Sequence, residues 1–158
     1  MGNLVSFKSV FFTLLLSMAP VSELRGAIPY GLAHDIPPLG LYFLCVAANV
    51  VPVPFIVCFT RTVLLWMKKR GGKLQKAADW LSDRAVKKSA LYQKYEQLGL
   101  FILVAIPLPG TGAWTGALVA ALMGLRIRQA LPAITAGVAA AGAVVMLVCT
   151  GVIHLAGI

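Results

Sequence analysis

Two stretches of this chain are so long and so free of charge that they confine it to a membrane. Ile36–Thr60 and Gln129–Ile158 run for 25 and 30 residues without Asp, Glu, Lys or Arg. About 20 apolar residues carry a helix across a hydrocarbon core of roughly 30 Å. The rest of the composition agrees: 59% of the 158 residues are hydrophobic and 12% charged, against about 45–50% and 25% in a soluble domain. The charge deficit leaves too little polar surface for a water-soluble protein.

Two further uncharged runs are harder to place. Ser9–Ser22 has 14 residues, about 21 Å as a helix; it contains Pro20 near its end and is followed by Gly26, Pro29 and Gly31. Gln97–Leu125 is long enough to cross, but its centre reads Ile106-Pro107-Leu108-Pro109-Gly110-Thr111-Gly112. Prolines remove backbone donors and clash with the preceding turn, so a helix should stop there. Its flanks are about 15 and 20 Å long as helices, each reaching about halfway across. Both runs are read as re-entrant hairpins, although one kinked span fits the second equally well; irregular backbone at such depth must be shielded by protein or line a wet cavity. Lys8, Val10–Leu16 and Ser17-Met18-Ala19 also resemble a signal peptide with its cleavage site. Pro20 directly after the cut opposes cleavage, and the segment is read as part of the mature chain.

The order of elements repeats. Arg25-Gly26-Ala27-Ile28-Pro29 parallels Thr111-Gly112-Ala113-Trp114-Thr115, each followed by a Gly-Leu pair and then a long apolar helix. One full crossing separates the copies, which would give them opposite orientations, the arrangement that points to a transporter binding site. The expected fold is an all-α integral membrane protein: an inverted repeat of re-entrant helical hairpin plus transmembrane helix, with an amphipathic basic helix between the repeats. As one membrane domain it divides into hairpin 4–36, transmembrane helix 39–67, amphipathic helix 68–96, hairpin 97–125 and transmembrane helix 129–157.

Charge sets the orientation. Fourteen basic residues oppose five acidic ones, and ten of the fourteen lie in Arg61–Lys94. Concentrated between apolar blocks, they read as a cytoplasmic segment facing an anionic leaflet rather than as a nucleic-acid surface. The expected location is the cell inner membrane, multi-pass, with 61–94 cytoplasmic. Leu74, Ala77, Ala78, Leu81 and Ala85 recur at helical spacing there, among Lys73, Lys76, Arg84, Lys87 and Lys88, as on a surface helix. Cys45, Cys58 and Cys149 sit in apolar runs and read as packing residues. The last helix is dense in Ala and Gly, and spacings such as Gly137/Ala141 let helices approach closely in lipid. The partner could be this chain or a second copy, which leaves a homo-oligomer open.

Chemistry can reside in few places. Glu23 and Asp35 are the only acids outside residues 61–96. Glu23 and Arg25 flank the first break, where an ionisable group costs about 2.5–3.5 kcal/mol or more at membrane depth and needs a partner, water or a use. They either neutralise each other, or Arg25 recognises an anion and Glu23 takes up and releases a proton. Helix N-termini near Ala27 and Ala113 would add free amides and partial positive charge, with Thr111 adding a hydroxyl and Trp114 an amphipathic wall. Asn49, with Pro52 and Pro54, either bonds a neighbouring helix or marks a polar kink near the midplane. His34 reads as a loop residue. No nucleophile–base pair or metal-ligand spacing is present, so no catalytic, metal or cofactor role is expected.

The pairing of Glu23-Leu24-Arg25-Gly26-Ala27-Ile28-Pro29-Tyr30-Gly31 with Ala105-Ile106-Pro107-Leu108-Pro109-Gly110-Thr111-Gly112-Ala113-Trp114 resembles the small multidrug export protein family over nearly the whole chain. That family is similar in turn to the DedA superfamily, in which two re-entrant loops from opposite faces meet, each followed by a transmembrane helix. The resemblance implies transport of a membrane lipid, such as an anionic polyprenyl phosphate carrier, or of an amphipathic drug-like molecule, coupled to protons or sodium. Glu23 and Arg25 match the first loop, and Pro107, Pro109 and Thr111 match the second; Pro29, Gly110 and Gly112 join them as candidate binding residues. The DedA second loop carries an Arg shortly after its proline, and here that stretch is Gly110-Thr111-Gly112, so either Arg25 supplies the cation alone or the substrate differs. A non-transporting assembly or packing factor is the alternative, and an intramembrane enzyme the third.

Overall fold

Hydrogen-bonded turns, more than proline and glycine, decide where these helices stop. The computed structural model describes residues 7–89, 96–106 and 112–156. Among them the chain forms α1 (Phe7–Met18), α2 (Glu23–Ala33), α3 (Pro38–Val50), α4 (Pro52–Arg70), α5 (Gly72–Ser89), α6 (Glu96–Ala105), α7 (Ala113–Leu122) and α8 (Ile127–Ala156). No strand occurs among the described residues.

The first reversal falls at Ala19–Ser22, around Pro20, the first breaker of the series. The Glu23 amide bonds the Ala19 carbonyl at 3.0 Å, and the Ser22 hydroxyl donates to the Leu16 carbonyl at 2.6 Å. Gly26, Pro29 and Gly31 then lie inside α2. The glycines there serve close approach. A Cβ on Gly31 would strike the side chain of Leu41 on α3, and one on Gly26 would sit 2.8 Å from Ser22 Cβ. Accordingly α2 begins at Glu23, and its N-terminus is not at Ala27 as expected.

Pro38 starts α3 where a missing amide costs nothing. Val51 keeps right-handed helical dihedrals and its amide still reaches the Ala47 carbonyl at 3.2 Å, so α3 and α4 together make one 33-residue apolar rod. Pro52 offers no amide to the Ala48 carbonyl, which loosens the rod beside Asn49. The second rod long and apolar enough to cross a membrane is Ile127–Val152, of 26 residues. At 1.5 Å per residue both exceed the roughly 30 Å of hydrocarbon. Gly124, at φ +73°, ends α7: its amide and that of Leu125 turn back to the carbonyls of Ala121 and Ala120.

The packing is crossed. α1 lies on α2 and α3, and α6 on α7 and α8; α2 also lies on α8, and α7 on α4. The interior uses small side chains (Ala27, Ala113, Ala117, Ala120 and Ala130 are fully buried), with Ile28, Leu41 and Ile134 between them. Large apolar groups point outward: Phe11 and Phe12 on α1, Phe55 and Phe59 on α4, Leu147 and Leu155 on α8. Such an outside suits lipid tails. The small residues of α8 find their partners within this chain. A Cβ on Gly137 would meet Val104 Cβ at 2.7 Å and the Phe101 carbonyl oxygen at 3.0 Å.

The Tyr42 hydroxyl donates to the Ala139 carbonyl at 2.9 Å, tying α3 to α8 across 97 residues of sequence. Tyr42→Phe is expected to lower stability by about 1 kcal/mol, the net worth of one hydrogen bond. Thermal unfolding in detergent measures it, and an unchanged midpoint would show that the bond contributes nothing.

Lys68–Arg70 belong to the end of α4, and the amphipathic helix is α5, which lies on α4 and α7. Its inner face buries Ala78, and its outer face shows Leu74, Trp80 and Leu81 beside the basic groups. Lys68 pairs with Asp79 at 3.4 Å, and Arg84 covers the Trp80 ring at 4.8 Å.

Candidate functional site

The two breaks in the chain meet. Glu23, the first residue of α2, reaches the N-terminus of α7, 91 residues further on. There the Trp114 backbone N–H donates to Glu23 Oε1, at a long 3.5 Å. The carboxylate lies directly over Gly112, so that a Cβ on Gly112 would collide with it. The first amides of a helix have no intrahelical acceptor and carry its positive dipole end, so a carboxylate is well placed at this point. A second bond joins the same elements: the Trp114 indole N–H donates to the Met18 carbonyl at 3.0 Å.

Glu23 takes this position in an unusual backbone state. Its φ is +46°, a left-handed conformation costing a non-glycine residue about 1–2 kcal/mol. Asp35 shares the sign, at +57°, but Asp is a common occupant of that region at a helix end, whereas Glu is not. Non-glycine strain of this kind persists where surrounding contacts over-determine it, and it concentrates at functional sites. Glu23 is also buried, at 8% exposure.

A small cavity opens beside the carboxylate. Its polar lining is Glu23, Arg25 and Asn49; Leu24, Val104, Val138 and Val145 make most of the rest. The space holds about one water molecule, roughly 10 Å³. Drug-sized ligands occupy pockets of about 300–1,000 Å³, so this cavity as lined by the described residues does not hold one. Asn49 is 1% exposed, and its Oδ1 has no hydrogen-bond partner among the described residues. The hydrogen bond to a neighbouring helix that one sequence reading gave Asn49 is thus not made by its Oδ1.

Of the residues that sequence singles out, the fold brings together Glu23, Arg25, Asn49, Gly112 and, through its backbone, Trp114. Pro29 sits further along α2 and does not line the cavity. Pro107, Pro109, Gly110 and Thr111 lie outside the described residues. Sequence reasoning missed the Met18 carbonyl, which has no side-chain signal, and the apolar wall from α6 and α8. It also aimed the amides of α7 at a ligand, whereas Glu23 occupies that position. His34 stacks on Tyr30 at 4.2 Å between ring centroids, at the far end of α2.

No curated protein and no solved structure matches this sequence. A family model does: the one described as "Putative small multi-drug export protein" matches residues 23–144. The match starts at Glu23 and takes in every described residue of the cavity except Val145. Together with two helices long enough to span a bilayer and apolar side chains facing outward, it marks a helical membrane protein, and the chain belongs to the small multi-drug export protein family.

Proposed function

We propose that this protein is an ion-coupled membrane transporter that moves an anionic or amphipathic substrate between two hairpins of opposite orientation. One observation carries the reading: a strained, buried carboxylate from one break sits on the helix N-terminus of the other, beside Arg25. A purely structural contact would not need a charged group in a left-handed backbone beside a polar cavity. The family description supports export, and the crossed packing supports two equivalent halves. Each half supplies a short helix that rests on the other half's long one.

The water-sized cavity belongs to a closed state. Substrate enters when the hairpins part, and Arg25 then offers its forked guanidinium to a phosphate or carboxylate. A polyprenyl phosphate lipid fits this chemistry better than a cationic drug does, because Glu23 is the single deep acid among the described residues and is already engaged. The resemblance to the DedA superfamily points the same way. The basic segment about α5 faces the cytoplasmic leaflet in this reading, and the membrane is the bacterial inner membrane.

Purified protein in liposomes should move a labelled polyprenyl phosphate across the bilayer, and Glu23→Gln and Arg25→Ala should each lower the rate at least tenfold. Glutamine can still accept from the Trp114 amide, so its effect reports charge rather than folding. One feature favours a second reading, a non-transporting packing role: Glu23 already fills the α7 terminus as a structural staple would. Transport undiminished in both variants would leave only that reading.

A further inference from the structure

Asn49 is the feature that the transport reading leaves without a task. It lies on α3, just before the interruption at Val51, almost fully buried. A buried acceptor with no donor costs about 1–3 kcal/mol, and membrane interiors offer no water to offset it. Replacement by Leu would remove that cost, so a cavity-lining Asn calls for a ligand that donates a hydrogen bond or carries positive charge. The cavity limits that ligand to the size of one water.

A metal ion fits poorly. Calcium takes six to eight oxygen ligands and magnesium six, and sodium must likewise exchange its hydration shell for protein oxygens. Among the described lining residues only Glu23 and Asn49 carry side-chain oxygen, Arg25 adds a positive charge, and the remaining wall is apolar. A proton requires one base and one acceptor, and both are present. We infer that Glu23 and Asn49 form a proton site, in which the Glu23 carboxylate takes up one proton and its new O–H donates to Asn49 Oδ1, directly or through one water.

The inference rests on the transport reading for its use and names the coupling ion as a proton. Protonation does two things at once. It cancels the charge that holds Glu23 at the positive end of α7, and it leaves the Arg25 guanidinium with one fewer negative neighbour. Proton uptake and anion binding then favour each other, and this linkage is reciprocal. Among the described side chains, the other titratable groups on the elements packed against α2 are Lys8 on α1, Tyr42 and Cys45 on α3, and Arg128 and Cys149 on α8. None lines the cavity, where Arg25 is the one other charged group among the described residues.

Infrared difference spectra of the full chain in lipid vesicles, acid minus alkaline, test this. The expected result is a carbonyl band from a protonated buried acid that Glu23→Gln removes. In Asn49→Leu the band should move to higher wavenumber, because the acid has lost its acceptor. Asn49→Ser, which keeps an acceptor, should move it back and serves as the reporter if the leucine variant fails to fold. Exchanging sodium for choline should change nothing. Three outcomes would overturn the site: no band assignable to Glu23, a band unmoved in both Asn49 variants, or a band whose size depends on sodium. A correctly behaving band in a protein that moves no lipid would instead sink the transport reading and leave the proton site standing.

Discussion

Gly112→Ala should disable the protein while leaving every charged group in place. Gly112 is extended, at φ −178° and ψ −162°, a conformation open to alanine, so the whole effect is steric. The added methyl would overlap the Glu23 carboxylate, and one side must yield. Moving Glu23 costs it the α7 amide; moving α7 opens the contact between the hairpins. Overpacking of this kind costs about 1–3 kcal/mol, and transport should fall by at least the tenfold expected of Glu23→Gln. The double variant Gly112→Ala/Glu23→Ala identifies the cause, because removing the carboxylate removes the collision. Its loss of stability should be smaller than the sum of the two single losses by about 0.5–3 kcal/mol. Additive losses in thermal unfolding would mean that Gly112 and Glu23 do not act on each other.

The second large effect belongs to Gly137→Val. Gly137 lies where α8 rests on α6. Even a methyl there would come within 3.0 Å of the Phe101 carbonyl oxygen, part of the backbone, which cannot swing aside as the end of a side chain can. Close approach through small residues drives helix association in lipid, where apolar burial contributes little. A loss of about 3 kcal/mol or failure to accumulate in the membrane is expected. Gly151→Val is the internal control, since nothing lies within 4 Å of a Cβ at Gly151; it should change stability by less than about 0.5 kcal/mol. Equal effects at the two positions would refute the assignment of the small-residue face to contacts within the chain.

What sequence disclosed depended on the range of the interaction. The short–short–long order of helices follows from uncharged run lengths and from the Pro107–Gly112 stretch. The first arm ends around Pro20 as read, but the start of α2 was misplaced because Gly26 and Pro29 look like breakers, whereas hydrogen bonds to Leu16 and Ala19 close the turn before them. Glu23 invites pairing with Arg25, its neighbour in sequence, yet its hydrogen bond crosses to the second hairpin. Nothing local announces that partner, because the donor is a backbone amide at Trp114. Asn49 stood between two readings, and burial without a hydrogen bond to its carbonyl oxygen supports a third. The surroundings of α8 could not be assigned to one chain or two from composition, since a small residue states that something approaches closely and not what approaches.

The crossed packing bears on how this protein is made. α2 finds part of its burial on α8, and α7 rests on α4, so each hairpin leaves its own half incomplete. While a ribosome extends the chain, α1–α4 emerge with Glu23 facing no α7 amide. The carboxylate must then remain hydrated or neutral until α7 emerges, and the contacts of α2 with α8 can form only after that. A quality-control protease that senses exposed charge within the membrane would distinguish half-made chains from finished ones at the same residue that the finished protein uses.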